Sequence, residues 1–335
     1  MKQLSRNLIV ALFSFVIVSS SYAEGKKNEF LYKGATVAPP NTPWEALLKK
    51  YKKDVRKGSK KRIKAKVYVG GTKGDEQSIV RQIAKGTLQF GGVSMGAMAI
   101  MVPELDIFEL PYLLNSYEEV DRVLDVVRPQ VEALLAAKGF KLIMYSENGF
   151  RSFGTKRAVN APADLKGVRM RAQPSPSHLA MYEALGANAK SISVAEVLPA
   201  LNTGAVDGFD NTPLFTQAAS WHQAITHYTV TKHIYQPALL VVNLNFFNSL
   251  PPELQAVLIP SDKTLEARGR KGIRALEPLL LKNLSAQKIT VTELSKEQLK
   301  TFETASRPAW KKRLSKATPA GKKLFDAIIA AKKAK

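Results

Sequence analysis

Ala238-Leu239-Leu240-Val241-Val242 is the run that most restricts what this chain can fold into. An unbroken apolar run leaves no side for water, so the strand it forms is covered on both faces, as at the centre of an α/β sheet. It resembles the core strands predicted before residue 146, yet a stretch with its own strands and helices lies between. A chain that leaves one domain, builds another and returns makes a two-strand hinge. The groove between such domains is where a small ligand sits.

Strands and helices alternate along the rest of the chain, the pattern of parallel α/β layers. Residues 29–37, 64–69, 88–93 and 141–145 read as strands. Thr42 caps a helix with Pro43 at its first position, residues 76–85 form a second helix, and 117–138 form a third. Gly70-Gly71-Thr72-Lys73-Gly74-Asp75 joins a strand to a helix, but its spacing fits neither the P-loop nor the dinucleotide fingerprint. It is read as a ligand-facing turn. Phe108-Glu109-Leu110-Pro111-Tyr112 reads as an apolar loop. A second module opens near Asn148-Gly149-Phe150-Arg151. Beyond the apolar run, Ser261 or Asp262 caps a long helix to about Ala286, kinked or divided at Pro278. The remainder is helical and basic, with a Lys-rich end expected to fray.

Residues 163–211 carry the candidate chemistry. Arg169 and Arg171 alternate along a short apolar strand and share a face, with Met170 on the other. Helical runs follow at 177–185 and 194–201, and Asp207-Gly208-Phe209-Asp210-Asn211 reads as a polar turn. A guanidinium is a rigid fork that matches a carboxylate bidentately. An Arg at a strand end, beside a Pro- and Ser-rich turn, is placed to grip an anion, and Arg171 is assigned that role. Arg169 is read as a rim residue and Asp207 as a brace for the turn. The alternative for Arg171 is a surface ion pair with Asp164 or Glu183; for Arg151 it is a hinge salt bridge.

The first residues read as a secretory signal. Lys2 and Arg6 precede an apolar stretch, and Ser21-Tyr22-Ala23 supplies small residues for cleavage after Ala23. With no Cys among the 335 residues, neither a lipoprotein anchor nor disulfides are expected. The formal charge is +22, and residues 49–66 hold eleven Lys or Arg against one acid, Asp54. That run falls partly on a helix with one apolar stripe (Trp44, Leu47, Leu48, Tyr51, Val55), so it reads as a solvated helix face followed by a basic loop rather than a nucleic-acid site. Binding to anionic surfaces is the alternative. His178, His222, His227 and His233 lack the spacing of a metal or catalytic set. No nucleophile–base pair or carboxylate pair stands at useful spacing, so neither an enzyme nor a cofactor is expected.

Taken in order, several segments resemble the extracytoplasmic solute receptors of tripartite ATP-independent periplasmic (TRAP) transporters, in the C4-dicarboxylate-binding group. They are Gly71-Thr72-Lys73-Gly74-Asp75-Glu76, Glu109-Leu110-Pro111-Tyr112, Asn148-Gly149-Phe150-Arg151, the run 163–171, Glu183-Ala184-Leu185-Gly186-Ala187 and the run 200–208. The resemblance covers essentially all of the chain beyond the signal. It implies a periplasmic-binding-protein-like type II fold: two α/β domains joined by a hinge, a ligand cleft between them, and a long C-terminal helix packing across. Under that fold, residues 24–148 and 237–277 form domain I, 149–236 and 278–320 form domain II, and 321–335 are a basic tail. The implied function is a periplasmic receptor, monomeric, that closes on an organic acid and delivers it to a TRAP-type membrane permease; a signalling receptor is the alternative.

By match to the family pattern, Arg171 pairs with the ligand carboxylate, Arg151 is a second arginine, and Asn211 is the polar residue after the Asp-Gly turn. Asp75, Ser94, Ser175 and Val194 fall where the family lines its cleft. Two departures bear on the ligand. Phe209-Asp210-Asn211 stands where many relatives have Gln-Glu-Asn, and Ser94 stands where sugar-acid binders carry an acid. With Met95, Met98, Met101 and Phe108 nearby, these point to a less polar monocarboxylate.

Overall fold

The computed structural model describes residues 28–260 and 264–334. The signal segment with its Ala23 cleavage site, and the expected helix caps Ser261 and Asp262, lie outside those residues.

The described residues form nine strands: β1 (Phe30–Ala35), β2 (Ile63–Tyr68), β3 (Phe90–Ser94), β4 (Phe140–Thr155), β5 (Arg169–Ala172), β6 (Asn188–Ser191), β7 (Gly208–Asn211), β8 (His227–Asn243) and β9 (Thr290–Glu293). They are hydrogen-bonded in the order β2-β1-β3-β8-β4-β7-β5-β6, with β9 on β8. The helices are α1 (Pro43–Gly58), α2 (Glu76–Ala84), α3 (Met95–Met98), α4 (Tyr117–Ala136), α5 (Pro176–Ala184), α6 (Val197–Asn202), α7 (Pro213–Ala218), α8 (Leu244–Ser249), α9 (Pro252–Leu258), α10 (Thr264–Ala286), α11 (Lys296–Leu314) and α12 (Pro319–Lys333).

The apolar run at 238–242 is buried on both faces, as its composition requires. It is one end of a 17-residue strand, and the alternating segment before it is the other end. β4 is likewise one strand of 16 residues where the sequence suggested two. The two pair antiparallel along their length and tie two lobes together. Ala238 to Val242 pair with β3 in the first lobe, while Ser152 to Thr155 of β4 pair with β7 in the second. The β4–β8 ladder shifts register between Glu147 and Gly149, opposite Pro237 and Gln236. Gly149 has φ of 100°, which a side chain would strain, so glycine is what lets the strand bulge there.

Each lobe has its own core. In the first, α2, α3, α4 and α12 cover one face of the sheet and α1, α8, α9 and the start of α10 the other. In the second, α5 and Phe302 of α11 pack on one side, and α6, Trp221 and Leu284 near the end of α10 on the other. α10 therefore runs across both lobes, and it continues through Pro278 as one helix. The frayed basic tail expected at 321–335 is instead most of α12. Thr318 caps it, and Leu324, Ile328 and Ala331 are buried in the first lobe.

Candidate ligand-binding site

Where the lobes meet, side chains from β3, α2, β4, β5, β7 and β8 converge on one cleft. Arg151, Arg171, Gln173, Asn211, Ser94, Glu76, Asn148 and Gln236 supply its polar lining, and Trp44, Val194 and Phe215 its apolar walls. The space they leave is about 20 Å³, room for about one water molecule. The lobes are closed over it.

Arg171 is the least compensated charge in the cleft. Strand alternation turns it inward beside Gln173, two residues on, and both are buried. Its Nε donates to the Ile192 carbonyl at 2.9 Å, and its guanidinium lies 5.3 Å from the centre of the Trp221 ring. No carboxylate among the described residues pairs with it. The two acids weighed as partners are engaged elsewhere: Asp164 accepts from the Asn160 and Ala161 amides, and Glu183 pairs with Lys312. Burial, aided by the neighbouring Arg151, pulls the Arg171 pKa down to about 10. Arg169, on the same face but at the strand's outer end, is exposed and bridges Asp207 at 2.6 and 2.8 Å.

Arg151 is held on every side. Its Nε donates to Asp210 Oδ2 at 2.5 Å, and one terminal nitrogen reaches Asn211 Oδ1 (3.1 Å) and Gln236 Oε1 (2.8 Å). The other terminal nitrogen meets the Asp210 carbonyl. Burial opposes its charge but Asp210 overcomes it, raising the Arg151 pKa. Asp210 also receives the Tyr182 hydroxyl at 2.8 Å. Although burial penalises its charge, Arg151 and His178 hold its carboxyl well below the usual range. His178 Nε2 lies 2.7 Å from Glu109 and its Nδ1 3.5 Å from Asp210. Burial lowers the His178 pKa less than those acids raise it, whereas burial prevails at His233 and lowers it. Gly96 is part of this frame, because its amide donates to Glu109 at 2.6 Å where a Cβ would stand 2.4 Å from Glu109 Oε2.

The segment 207–211, read as a polar turn, is the buried strand β7, parallel to β5 and antiparallel to β4. Phe209 therefore points into the second-lobe core against Trp221, 5.0 Å between ring centres, and stays out of the cleft. Asn211 does reach the cleft. Its Oδ1 accepts from Arg151 and from the Thr212 amide, and its amide nitrogen has no partner among the described residues.

Among the weaker assignments, Ser94 and Val194 line the cleft and two others do not. Asp75 caps α2, accepting from the Ser78 amide at 2.7 Å; the next residue, Glu76, is the one that faces the cavity. Ser175 donates to Asp106 Oδ1 at 2.8 Å and, with Ser177, ties α5 to the first lobe. The less polar ligand also loses its basis. Met95, Met98 and Phe108 are buried in the first-lobe core, with Met101 packed against them. The acid absent at 94 is present in space: Glu76 accepts from the Ser94 amide (2.8 Å) and hydroxyl (2.9 Å). Burial raises the Glu76 pKa against those hydrogen bonds. Sequence reasoning does not reach Glu76, Gln173, Gln236, Asn148, Trp44 and Phe215; only Gln173, one residue past β5 and in phase with Arg171, carries a usable signal.

The bacterial extracellular solute-binding protein family 7, DctP, matches residues 34–317. The chain belongs to that family. As a family 7 protein it is 34% identical over 211 residues to a solute-binding protein of Verminephrobacter eiseniae, covering 62% of this chain and 63% of that one. It is 30% identical over 215 residues to the 2,3-diketo-L-gulonate-binding periplasmic protein YiaO of Escherichia coli, covering 64% and 66%. The chain thus spans slightly less than two thirds of each of these relatives. The same fold is seen in a TRAP periplasmic solute-binding protein from Sulfitobacter sp. NAS-14.1 with bound β-D-galacturonate. The TM-score is 0.85 at 25% identity, over 89% of this chain and 99% of that one. Among the described residues, no helix is long and apolar enough to cross a membrane.

Proposed function

We propose that this family 7 protein is a periplasmic receptor that binds a hydroxylated organic acid between its lobes and hands it to a TRAP-type permease. The observation that carries this reading is Arg171: a buried guanidinium at the cleft with no carboxylate among the described residues to meet it. Burying an unpaired charge is costly, and an anionic ligand removes that cost while gaining a bidentate, charge-assisted contact of roughly 1.5–3 kcal/mol. Asn211, with a free amide nitrogen, donates beside it. Arg151, already committed to Asp210, adds positive potential and rigidity rather than a second fork.

The remaining polar lining suits hydroxyl groups. Glu76 and Ser94 stand on the first lobe, Gln173 on the second, and Asn148 and Gln236 on the strands between, so a polyhydroxylated acid touches both lobes at once. The sugar acids named for YiaO and for the Sulfitobacter protein are of that class. A C4-dicarboxylate fits less well, since a second carboxylate would face Glu76 rather than a free cation. The bulge at Glu147/Gly149 is the hinge of this reading. Among the described residues it divides 28–148, 237–260 and 264–277 from 149–236 and 278–318, and α12 returns to the first lobe.

A thermal-shift screen of the exported protein against uronates, aldonates, keto-sugar acids and simple monocarboxylates tests it. Ligand at about a hundred times its dissociation constant stabilises by about 2.7 kcal/mol. The expected hits are hydroxylated acids, and Arg171→Lys, which keeps the charge but loses the fork, should weaken them by about tenfold or more. An unchanged response in Arg171→Lys, or a response to simple monocarboxylates alone, would overturn the reading.

A further inference from the structure

Ligand binding makes no use of the basic face at the β2 edge of the sheet. α1 lays Trp44, Leu47, Leu48, Tyr51 and Val55 on the first-lobe core, which turns Lys49, Lys50, Lys52, Lys53, Arg56 and Lys57 outward. Lys60 and Lys61 carry the charge round the following turn, and Lys64 and Lys66 carry it along the exposed positions of β2. Within this run Lys49 pairs with Glu45, Lys50 with Asp54, and Arg62 with Glu29 and Glu253. The other eight of the eleven basic residues pair with no acid among the described residues.

A helix face that only has to stay in water is well served by mixed charge. Here Lys49 and Lys53, Lys52 and Arg56, and Lys53 and Lys57 stand at i,i+4, where like charges repel and weaken the helix. Lysines on an edge strand do guard against strand pairing, which accounts for Lys64 and Lys66 but not for α1. The charges run along residues 49–57 of α1, about 13 Å, then a turn and a strand, so a small anion would meet only a fraction of them. The matching partner is an extended surface of closely spaced negative charge. Its nature is indicated by Ile259, 41% exposed, in a groove beside α1 that Lys50, Lys57 and the Lys50 partner Asp54 also line. An apolar side chain among lysines suits the boundary between headgroups and acyl chains.

We propose that this face binds the anionic phospholipid headgroups of a membrane surface. For a receptor that serves a permease, the contact would hold the protein in the plane where the permease lies; the lipid contact itself does not depend on that role.

Flotation of the exported protein with phosphatidylcholine vesicles, with and without about one third phosphatidylglycerol, tests the proposal. At about 0.05 M salt the protein should float with the anionic vesicles alone, and about 0.3 M salt should weaken that binding at least tenfold by screening. Each cation that reaches such a surface is worth roughly a factor of five. The Lys52→Gln/Lys53→Gln/Arg56→Gln/Lys57→Gln variant should therefore bind about 600-fold less. A control of equal net charge, Lys296→Gln/Lys311→Gln/Lys322→Gln/Lys323→Gln, removes exposed lysines from α11 and α12 and should bind like the parent. All three proteins are first matched in thermal midpoint, so a folding defect is not read as lost binding. The proposal is overturned by absent flotation at low salt, by equal binding to neutral vesicles, or by equal losses in the α1 variant and the control.

Discussion

At the scale of single residues, the cleft is organised by the contrast between two buried arginines. Arg151 is matched by Asp210 and a ring of amides; Arg171 is not. An unmatched buried cation lowers stability, and the depressed pKa of Arg171 says the same thing. A base whose folded pKa is lowered costs the folded state throughout the pH range below that value, here about 10, and neutral pH lies well inside it. Arg171→Met should thus raise the melting temperature of the ligand-free protein, by about 1–3 kcal/mol in stability, while abolishing the ligand-induced shift. A variant less stable than the parent without ligand would show that Arg171 is compensated after all. His178 allows a second test. Its folded pKa is raised, so its contribution is complete below about 6.5, the unfolded value, and is lost as pH rises through the folded value. His178→Gln should cost most stability near pH 6, and the difference from the parent should shrink as pH rises through the folded value. His233 is shifted the other way, in part by His178 itself, so the comparison is made in a His233→Gln background, where only His178 differs. A gap that is constant with pH would mean that His178 is held neutral.

At the scale of elements, legibility followed how local the determinant is. The α1 start was readable because Thr42 and Pro43 act within one turn, and the central strand because its apolar run admits no other burial. The strand β7 looks like a turn in sequence because its polarity is real: Asp210 and Asn211 are buried with Arg151, Tyr182 and Tyr228 reaching them from distant positions. Glu76 was missed for a related reason, since its link to Ser94 crosses 18 residues. α12 was misjudged because its lysines mask a stripe at 324, 328 and 331, spaced i, i+4, i+7, which is enough to bury one face. That stripe makes α12 a structural part of the first lobe. Ile328 is fully buried, so Ile328→Ala should cost about 2–5 kcal/mol in chemical denaturation, where a frayed tail would lose nothing measurable.

For the whole molecule, the closed cleft and the long paired strands have to be reconciled with ligand entry. A cavity of about 20 Å³ is far below the roughly 300 Å³ of a small-molecule site, so a ligand enters only if the lobes part. Covalent continuity through β4 and β8 prevents separation but permits rotation about the bulge at Glu147/Gly149, where the ladder shifts register. Closure of the empty cleft is opposed by the burial of Arg171 without a counter-charge and favoured by several contacts between the lobes: Gln77 to the Pro174 carbonyl, Ser175 and Ser177 to Asp106, and His178 to Glu109. These contacts join the lobes whatever fills the cleft, so the unliganded protein should sample both arrangements, with ligand selecting the closed one. The absence of cysteine makes this measurable, because labels attach only where they are introduced. Lys73, in the turn before α2, and Lys190, on β6, are both exposed and lie on opposite lobes. Spin labels on a Lys73→Cys/Lys190→Cys protein should give a broad separation with a longer component when ligand is absent. Saturating sugar acid should collapse it to the shorter distance. Adding Arg171→Met to the pair should leave the broad distribution unchanged by ligand, because the contact that makes closure ligand-dependent is gone. A single narrow distance, identical with and without ligand in the parent pair, would mean that the lobes do not open at the bulge and that ligand enters by another route.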